Sequence, residues 1–350
     1  MGTQNQTGKV QTVIDLIEPT HTGPTMTHEH LLINFSCMLN PAPDATAQKL
    51  SNEPLSMANL GWVMQNPYSS RDNLLVLDEQ IAMKEARLYR ASGGGTIVDA
   101  TTIGIGRDPE GLARISRGSG INIVMGAGYY VGATHPMSLS GSSEDEIASD
   151  IVRDITTGVG NSGVKAGIIG EIGCTWPLTT SERKVLKASA IAQKESGASI
   201  LIHPGRNAQA PMEILSILRE GGADLTRVIM GHLDRTIDSL DDLKQIAATG
   251  CVMEWDLFGT EISFYPLSDF DMPNDPQRLK YIRTMIDEDL GENIVISQDI
   301  CTNHRLTHYG GHGYGYILEH IVPRMRTKGF SENEIYALTQ GNASRLLTII

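Results

Sequence analysis

An alternation of short β-branched segments with helical segments, repeated eight times, is the feature that most constrains the fold of this chain. Most of the segments are uninterrupted apolar runs, such as GIIGEIG and SILIH, which are typical of strands buried on both faces of a parallel sheet. Strand–helix–strand units at this spacing have right-handed crossovers, and eight of them close into a (β/α)8 TIM barrel. The predicted strands are residues 24–33, 95–102, 121–130, 167–174, 199–203, 227–232, 251–257 and 293–299.

The whole chain, residues 1–350, is predicted to form a single α/β domain, because barrels of this kind use about 250 residues or more as one unit. Helix start signals support the pattern. Thr179 and Glu182 have the spacing of a capping box, and so do Ser331 and Glu334 near the C-terminus. We therefore expect a barrel followed by closing helices.

Two segments lie outside the repeat. Residues 35–72 contain four prolines and are too long for a simple turn between a strand and a helix, so we predict an extended loop over the barrel mouth. The Gly-rich segment 309–316 (YGGHGYGY) lacks the G-x-G-x-x-G spacing of a dinucleotide-binding turn. This argues against the alternative architecture, a doubly wound sheet, and we interpret the segment as a rim loop.

The charge of the chain excludes several classes of partner. Its 28 Lys and Arg against 41 Asp and Glu give a formal net charge of −13, whereas nucleic acids and anionic membranes require a cationic face. The N-terminal segment lacks the apolar core of a signal peptide, and the four cysteines form no C-x-x-C pair. We expect a cytoplasmic protein with cysteines as buried filler, a small-molecule substrate, no nucleic-acid or membrane partner, and an oligomeric state that includes a possible homo-oligomer.

Histidines near strand ends are the first chemical signal. His28 and His30 are two residues apart on the first predicted strand, so both imidazoles should face the barrel interior. His203, His232 and Asp299 each close a later apolar strand. Any one of them could be an ordinary rim residue, and a single His-x-His pair arises by chance. Together they converge at the C-terminal mouth, where barrels build active sites, and offer ligands for zinc, manganese or iron.

Glu171 strengthens this interpretation because it lies in the middle of the apolar segment GIIGEIGC. An ionised carboxylate inside such a strand costs several kcal/mol unless it is paired or coordinated. An arginine partner is one explanation. The other is a carboxylate that bridges two cations, because a two-metal site needs an anion to offset the repulsion between them.

Six motifs in order along the chain resemble those of the phosphotriesterase family of the amidohydrolase superfamily. They are THEH, GEIGCTWPLTxSE, IHPGR, GHLDRT, DLFGTE, and QD followed by YGGHGY. The resemblance extends over nearly the whole chain. It implies a (β/α)8 barrel with a binuclear metal centre at its mouth.

The resemblance also implies a ligand set for two divalent metal ions, with zinc as the expected metal. His28, His30 and Asp299 would hold the more buried ion, His203 and His232 the more exposed one, and Glu171 would bridge them together with a hydroxide. Bacterial phosphotriesterases carry a carboxylated lysine at the bridging position, so this chain resembles the subgroup with a glutamate there. Asp299 is the expected catalytic residue, which takes a proton from the hydroxide and passes it to the leaving group.

Further site residues are less sharply indicated. Tyr130 ends the third strand, where similar lactonases place a tyrosine near the bridging water, although an aromatic rim residue is an equal alternative. Arg206, Arg235 and Arg305 lie just past strands five, six and eight, and one of them could bind an anionic part of the substrate, although each could instead pair with a carboxylate. Asp234 could orient a ligand, relay protons or pair with Arg235. Phosphotriesterases continue the proton relay through a histidine of strand seven, a strand that reads CVMEWDLF here.

The activity implied by the resemblance is metal-dependent hydrolysis of small N-acylated substrates, first of all N-acetyltaurine to taurine and acetate. The alternatives are a lactonase or a phosphotriester or aryl-ester hydrolase, because the same metal centre serves these reactions in related groups. A non-catalytic ligand-binding relative is the alternative from another class. The complete set of predicted ligands, including Glu171 and Asp299, argues against it.

Overall fold

The computed structural model describes residues 6–262, 265–269 and 271–350. Eight parallel strands follow one another in sequence order, each hydrogen-bonded to the next. They are β1 (Thr25–Glu29), β2 (Thr96–Asp99), β3 (Asn122–Ala127), β4 (Ile168–Gly173), β5 (Ile200–His203), β6 (Val228–Met230), β7 (Val252–Trp255) and β8 (Ile294–Ile296). Each strand lies within its predicted segment, and the predicted (β/α)8 barrel is confirmed.

The barrel closes between β1 and β8 through the chain that follows β8. The Ser297 hydroxyl donates to the His28 carbonyl at 2.9 Å and accepts from the His28 backbone N–H at 3.0 Å. The Asp299 backbone N–H donates to the same carbonyl at 3.0 Å. A side chain therefore replaces part of the strand ladder at this seam, immediately beside two of the predicted site residues.

Helices separate the strands in the order that the sequence predicts. They are α1 (Glu79–Ala91), α2 (Pro109–Ser119), α3 (Glu144–Thr156), α4 (Thr180–Ser196), α5 (Ala210–Glu220), α6 (Leu240–Ala247), α7 (Asp275–Ile286) and α8 (Val322–Thr327), the last preceded by a π-helical turn at Ile317–Ile321. Three helical segments close the chain: Glu332–Tyr336, Ala337–Gly341 and Asn342–Leu347. The capping boxes predicted at Thr179 and Ser331 are both present.

The long segment between β1 and α1 contains short helices at Ser36–Met38, Ala45–Asn52 and Leu60–Gln65. Its base is held by an antiparallel pair, in which Ile33–Asn34 bonds to Leu75–Val76. Because one end of this pair follows β1 directly, the segment starts at the C-terminal mouth of the barrel. It supplies part of the wall of the site described below.

Apolar side chains fill the barrel below the site. A separate buried cluster takes one residue from each of seven strands, among them Val98, Leu201 and Val295, and includes Val10 and Leu346 from the two ends of the chain. Leu201 shares its face of β5 with His203, so this cluster forms the floor beneath the histidines. Cys174, Cys251 and Cys301 are buried as predicted, but Cys37 is exposed because it lies in the segment between β1 and α1 rather than in the core. No helix within the described part of the chain is long and apolar enough to cross a membrane.

Candidate metal centre

Six side chains meet at the C-terminal mouth of the barrel, where the sequence predicts the metal centre. They are His28 and His30 near the end of β1, Glu171 of β4, His203 of β5, and His232 and Asp299, which follow β6 and β8. Ligand atoms of His28, His30 and Asp299 lie within 4.8 Å of one another, as do those of His28, Glu171 and His232. The structure thus brings the predicted residues together, while their role as ligands stays a prediction.

Glu171 lies at the centre of the four histidines. Its Oε1 is 3.3 Å from His30 Nε2, and its Oε2 is 3.3 Å from His28 Nε2, 2.8 Å from His203 Nδ1 and 3.8 Å from His232 Nε2. Burial favours the neutral acid, but the charges of His28 and His203 outweigh it and hold the pKa of Glu171 well below its usual range. One carboxylate therefore faces four imidazoles with both of its oxygens, which is the placement that a bridging ligand needs.

Two of the histidines are oriented by a partner on the far side of the ring. His232 Nδ1 donates to Asp256 Oδ1 at 2.8 Å, which turns Nε2 toward Glu171. His30 Nδ1 is hydrogen-bonded to the Thr101 hydroxyl at 2.9 Å, and its Nε2 faces Glu171 and Asp299. Such contacts fix the tautomer and the ring orientation of metal-binding histidines.

The surroundings of His28 test whether these residues fit a metal. Both ring nitrogens are buried without a hydrogen-bond partner, although carboxylate oxygens of Glu171 and Asp256 lie 3.3 and 3.0 Å away in poor alignment. Buried imidazole nitrogens without a partner are costly, and imidazole with carboxylate is the donor set of divalent transition metals. The residues present therefore fit a divalent metal ion, and this cluster is where the chain can hold one.

Two of the predicted ligands have a left-handed backbone that residues other than glycine rarely adopt. The φ angles are 53° at His232 and 47° at Asp299. Such a conformation costs about 1–3 kcal/mol and is concentrated at functional sites. At His232 the backbone N–H donates to Asp256 Oδ2 at 2.9 Å, which compensates part of this cost. The strained backbone at both positions thus lowers the stability of the fold, and it directs both side chains into the mouth of the barrel.

Two charged residues hold Asp299 in place: Glu29, which the sequence did not indicate as part of the site, and Arg305, which it indicated only as a candidate to bind substrate. The Glu29 carboxylate, fully buried, accepts from the backbone N–H groups of Gln298 and Ile300 on either side of Asp299, each at 2.8 Å. Arg305 Nη1 donates to the Asp299 carbonyl at 2.6 Å. The sequence offered one indication of this role, because Glu29 lies between the two predicted ligands His28 and His30 in the motif THEH.

Strand β7 supplies the carboxylates that the sequence showed only as a departure from the family relay. Asp256 bonds the ring and the backbone of His232, as described above. Glu254 lies 3.4 Å from His28 Nδ1 and accepts from the Thr27 hydroxyl at 2.5 Å. These contacts position histidines from the side opposite Glu171.

Asp234 has a different partner from the ones considered. Its Oδ2 accepts from Arg278 Nε and from the Leu257 backbone N–H, both at 2.9 Å, and it does not pair with Arg235. Arg278 of α7 also bonds to Asp275 at 2.7 Å. The sequence could not reveal this pairing because Asp234 and Arg278 are brought together only when α7 packs on the barrel.

A cavity of about 320 Å³ opens above the cluster. Five predicted ligands reach its wall, together with three predicted substrate contacts: His30, Glu171, His203, His232, Asp299, Tyr130, Arg206 and Arg235. The Tyr130 hydroxyl lies 3.4 Å from His203 Nε2, and Arg235 Nη2 lies 3.2 Å from the same atom. The segment after β1 contributes Phe35, Leu60 and Tyr68 to the wall. The site is thus an open, mostly apolar cavity with polar groups at its floor, which suits a small molecule.

A family model described as the phosphotriesterase family matches residues 8–347. The chain belongs to the phosphotriesterase family. The match spans every strand and every helix of the barrel, so the family assignment rests on the same residues that build the site. It confirms the family resemblance drawn from the six sequence motifs.

Several known proteins resemble the chain over nearly its full length. The human N-acetyltaurine hydrolase is 45% identical over 343 residues, which cover 97% of this chain and 98% of that protein. A resiniferatoxin-binding protein from Rhodobacter sphaeroides has a crystal structure with a TM-score of 0.94 and 32% identity, covering 97% of this chain and 95% of that one. A lactonase from Listeria monocytogenes has a TM-score of 0.79 and 25% identity, covering 98% and 99%.

Proposed function

We propose that this chain is a metal-dependent amidohydrolase that cleaves small N-acylated substrates, with N-acetyltaurine, hydrolysed to acetate and taurine, as the first. The observation that carries the proposal is the buried carboxylate of Glu171, which faces four histidines at the floor of a small-molecule cavity. The human relative named N-acetyltaurine hydrolase, 45% identical over 97% of the chain, supports the choice of substrate. The proposal includes residues 1–350 as one catalytic domain and a cytoplasmic location.

The proposed cofactor is two divalent metal ions, with zinc as the first choice because imidazole and carboxylate are its usual ligands. The residues proposed to hold them are His28, His30, Glu171, His203, His232 and Asp299. When bound, divalent cations lower the pKa of a water molecule and polarise a carbonyl group under attack. The negative charge of the chain, −13, fits neither a nucleic-acid nor an anionic-membrane partner.

Asp299 is the residue best placed to move a proton in this reaction. Its side chain is 15% exposed to the cavity, whereas that of Glu171 is 2% exposed. Its Oδ1 is 3.3 Å from His30 Nε2, so it lies against the cluster and faces the substrate at once. Water adds to the acetyl carbon and the C–N bond breaks. Asp299 takes the proton that the water loses and gives it to the departing amine.

Tyr130 is proposed to contact the substrate beside this proton path. Its ring is buried against His203 with centroids 5.0 Å apart, and its hydroxyl lies 3.4 Å from His203 Nε2. Phe35 packs against the other side of the ring at 6.1 Å between centroids. The hydroxyl is therefore held at a fixed height above the cluster, where it can donate to a substrate oxygen.

The deciding experiment measures acetate release from N-acetyltaurine by the purified protein, before and after removal of metal by a chelator. Asp299→Asn should lower kcat by about 10² to 10⁴, the usual contribution of a positioned acid or base. Asp145→Asn, in the exposed first turn of α3, is the matched control and should keep full activity. Metal-independent turnover, or an unchanged rate in Asp299→Asn, would refute the mechanism.

Two structural relatives favour second candidates. The lactonase from Listeria monocytogenes supports lactone or ester hydrolysis at the same centre, and the resiniferatoxin-binding protein supports ligand binding without turnover. A panel of lactones, aryl esters and phosphotriesters assayed beside N-acetyltaurine distinguishes a lactonase or esterase from an amidohydrolase. A metal-loaded protein that hydrolyses none of these compounds would favour ligand binding without turnover.

A further inference from the structure

Two arginines in the cavity wall have no acidic partner. Arg206 and Arg235 both line the cavity, and neither has a carboxylate within 4.0 Å among the residues that the structure describes. Two buried arginines are neutralised by carboxylates: Arg278 bonds to Asp234 and Asp275, and Arg107 bonds to Asp154. Among the described residues Arg227 and Arg305 also lack a carboxylate partner, but each donates to several backbone carbonyls. A buried charge without a compensating partner is costly, so the uncompensated charges of Arg206 and Arg235 require an explanation.

Arg206 has its guanidinium edge open to the cavity. Its Nε donates to the Tyr265 hydroxyl at 2.6 Å, and the guanidinium stacks over the Tyr265 ring at 5.7 Å from the centroid. Within the described residues neither terminal nitrogen has a hydrogen-bond partner. A guanidinium held by Nε and by its face leaves two parallel N–H groups pointing outward, which is the arrangement that binds two oxygens of one acid group.

Arg235 adds a second positive charge beside the cluster. It is 3% exposed and is held by the Pro204 carbonyl at 3.1 Å and the Thr236 hydroxyl at 3.2 Å. Arg206 and Arg235 line the same cavity, so their two positive charges repel each other. Both arginines therefore gain from the arrival of an anion, since it offsets their repulsion and their loss of hydration.

We propose that Arg206 and Arg235 form a subsite for the acidic head group of the substrate, a sulfonate or a carboxylate. Arg206 takes two of its oxygens, and Arg235 provides the second charge. This subsite rests on the proposed function in that its ligand is the substrate of the same centre. Because Arg235 Nη2 is only 3.2 Å from His203 Nε2, the head group lies close to the cluster. The subsite therefore selects acids separated from the acyl group by a short spacer.

The first test compares substrates that differ only in the head group. N-acetyltaurine and N-acetyl-β-alanine are acidic, and N-acetylethanolamine is neutral. The native protein should prefer the acids by about 10- to 100-fold in kcat/KM, the value of hydrogen bonds to a charged group. Arg206→Gln should remove this preference mainly by raising KM for the acids. Arg206→Lys should keep part of the preference, because a lysine retains the positive charge but not the two parallel N–H groups. An Arg206→Gln variant that retains the full preference would overturn the subsite.

The second test needs no turnover, so it separates the failure of the subsite from the failure of the proposed function. Titration calorimetry on the metal-loaded protein measures the binding of ethanesulfonate and of propionate, and the comparison assigns the head group. Binding should weaken by about 10- to 100-fold in Arg206→Gln and in Arg235→Gln. Arg114→Gln, an exposed arginine paired with Glu79, is the matched control and should bind as the native protein does. Absence of binding to the native protein, or equal binding in Arg206→Gln, would refute the proposal.

Discussion

Asp256 forms two hydrogen bonds to His232, one from the imidazole Nδ1 at 2.8 Å and one from the backbone N–H at 2.9 Å. The same carboxylate lies 3.0 Å from His28 Nδ1. One side chain directly after β7 thus orients His232 and lies against the ring of His28. It also supports the left-handed backbone at His232, whose φ is 53°.

Asp256→Asn should weaken metal binding while leaving the barrel folded. An amide keeps the shape but loses the charge that stabilises the two histidines, and loss of such a partner costs about 10- to 100-fold in metal affinity. Competition with a chromophoric chelator measures the affinity. Asp241→Asn, exposed at the start of α6, is the matched control. Equal metal affinity in the two variants would contradict the orienting role.

Glu29→Gln should destabilise the protein and lower kcat. The carboxylate accepts from the backbone N–H groups of Gln298 and Ile300, each at 2.8 Å, and one of its oxygens lies 2.8 Å from the Ser297 hydroxyl oxygen. An amide directs its NH2 group at one of these donors, which costs about 1–3 kcal/mol. Urea unfolding of the metal-free protein measures the loss, and acetate release measures kcat.

The control for Glu29→Gln is Glu110→Gln, an exposed position in the first turn of α2. It should change stability by no more than about 0.5 kcal/mol. Full activity in Glu29→Gln would show that Asp299 keeps its position without this carboxylate.

Removal of metal should lower the melting temperature of the native protein. An ion that binds only the folded state stabilises it in proportion to the logarithm of its concentration over the dissociation constant, about 4 kcal/mol at a thousandfold excess. Scanning calorimetry with and without a chelator measures the shift. Glu171→Gln removes the proposed bridging carboxylate and should make the melting temperature insensitive to the chelator. A chelator shift of equal size in both proteins would argue against ions at Glu171.

Breaking the buried pair of Asp234 and Arg278 should be far more costly than breaking a surface pair. Both side chains are fully buried and 2.9 Å apart, so Arg278→Met leaves Asp234 uncompensated and should cost about 3–5 kcal/mol. Arg326→Met removes the exposed pair with Glu332 and should cost at most about 1 kcal/mol. Chemical denaturation of both variants gives the comparison. Similar losses would show that water reaches the buried pair.

The strands and the six clustered residues were predictable because each depends on a short segment of sequence. A run such as IVISQD shows both an apolar strand and the polar residue that closes it, and barrel topology then assigns all such ends to one mouth. The contacts of Glu29, Asp256 and Arg305 were not predictable, since each reaches a segment distant in sequence. Glu29, for example, bonds to Gln298 across 269 positions of the chain.

The partners of the cavity arginines were also beyond what the sequence could predict. Arg206 and Arg235 were recognisable as candidates because they follow β5 and β6 closely, but a pairing with carboxylates was an equal explanation. Only the packed structure shows that Asp234 is taken by Arg278 rather than by Arg235. It also shows Tyr265 beside Arg206, a partner 59 positions away. Which charges remain uncompensated depends on tertiary contacts that no local pattern reports.

The seam between β1 and β8 has a consequence for how the protein is made. His28 belongs to the first strand, and Ser297 and Asp299, which bond to its backbone, follow the last. During synthesis some 270 further residues follow His28 before the cluster can assemble. Contacts between residues so far apart in sequence form late in folding. A chain that stops before Ser297 and Asp299 therefore lacks the groups that close the barrel beside the cluster.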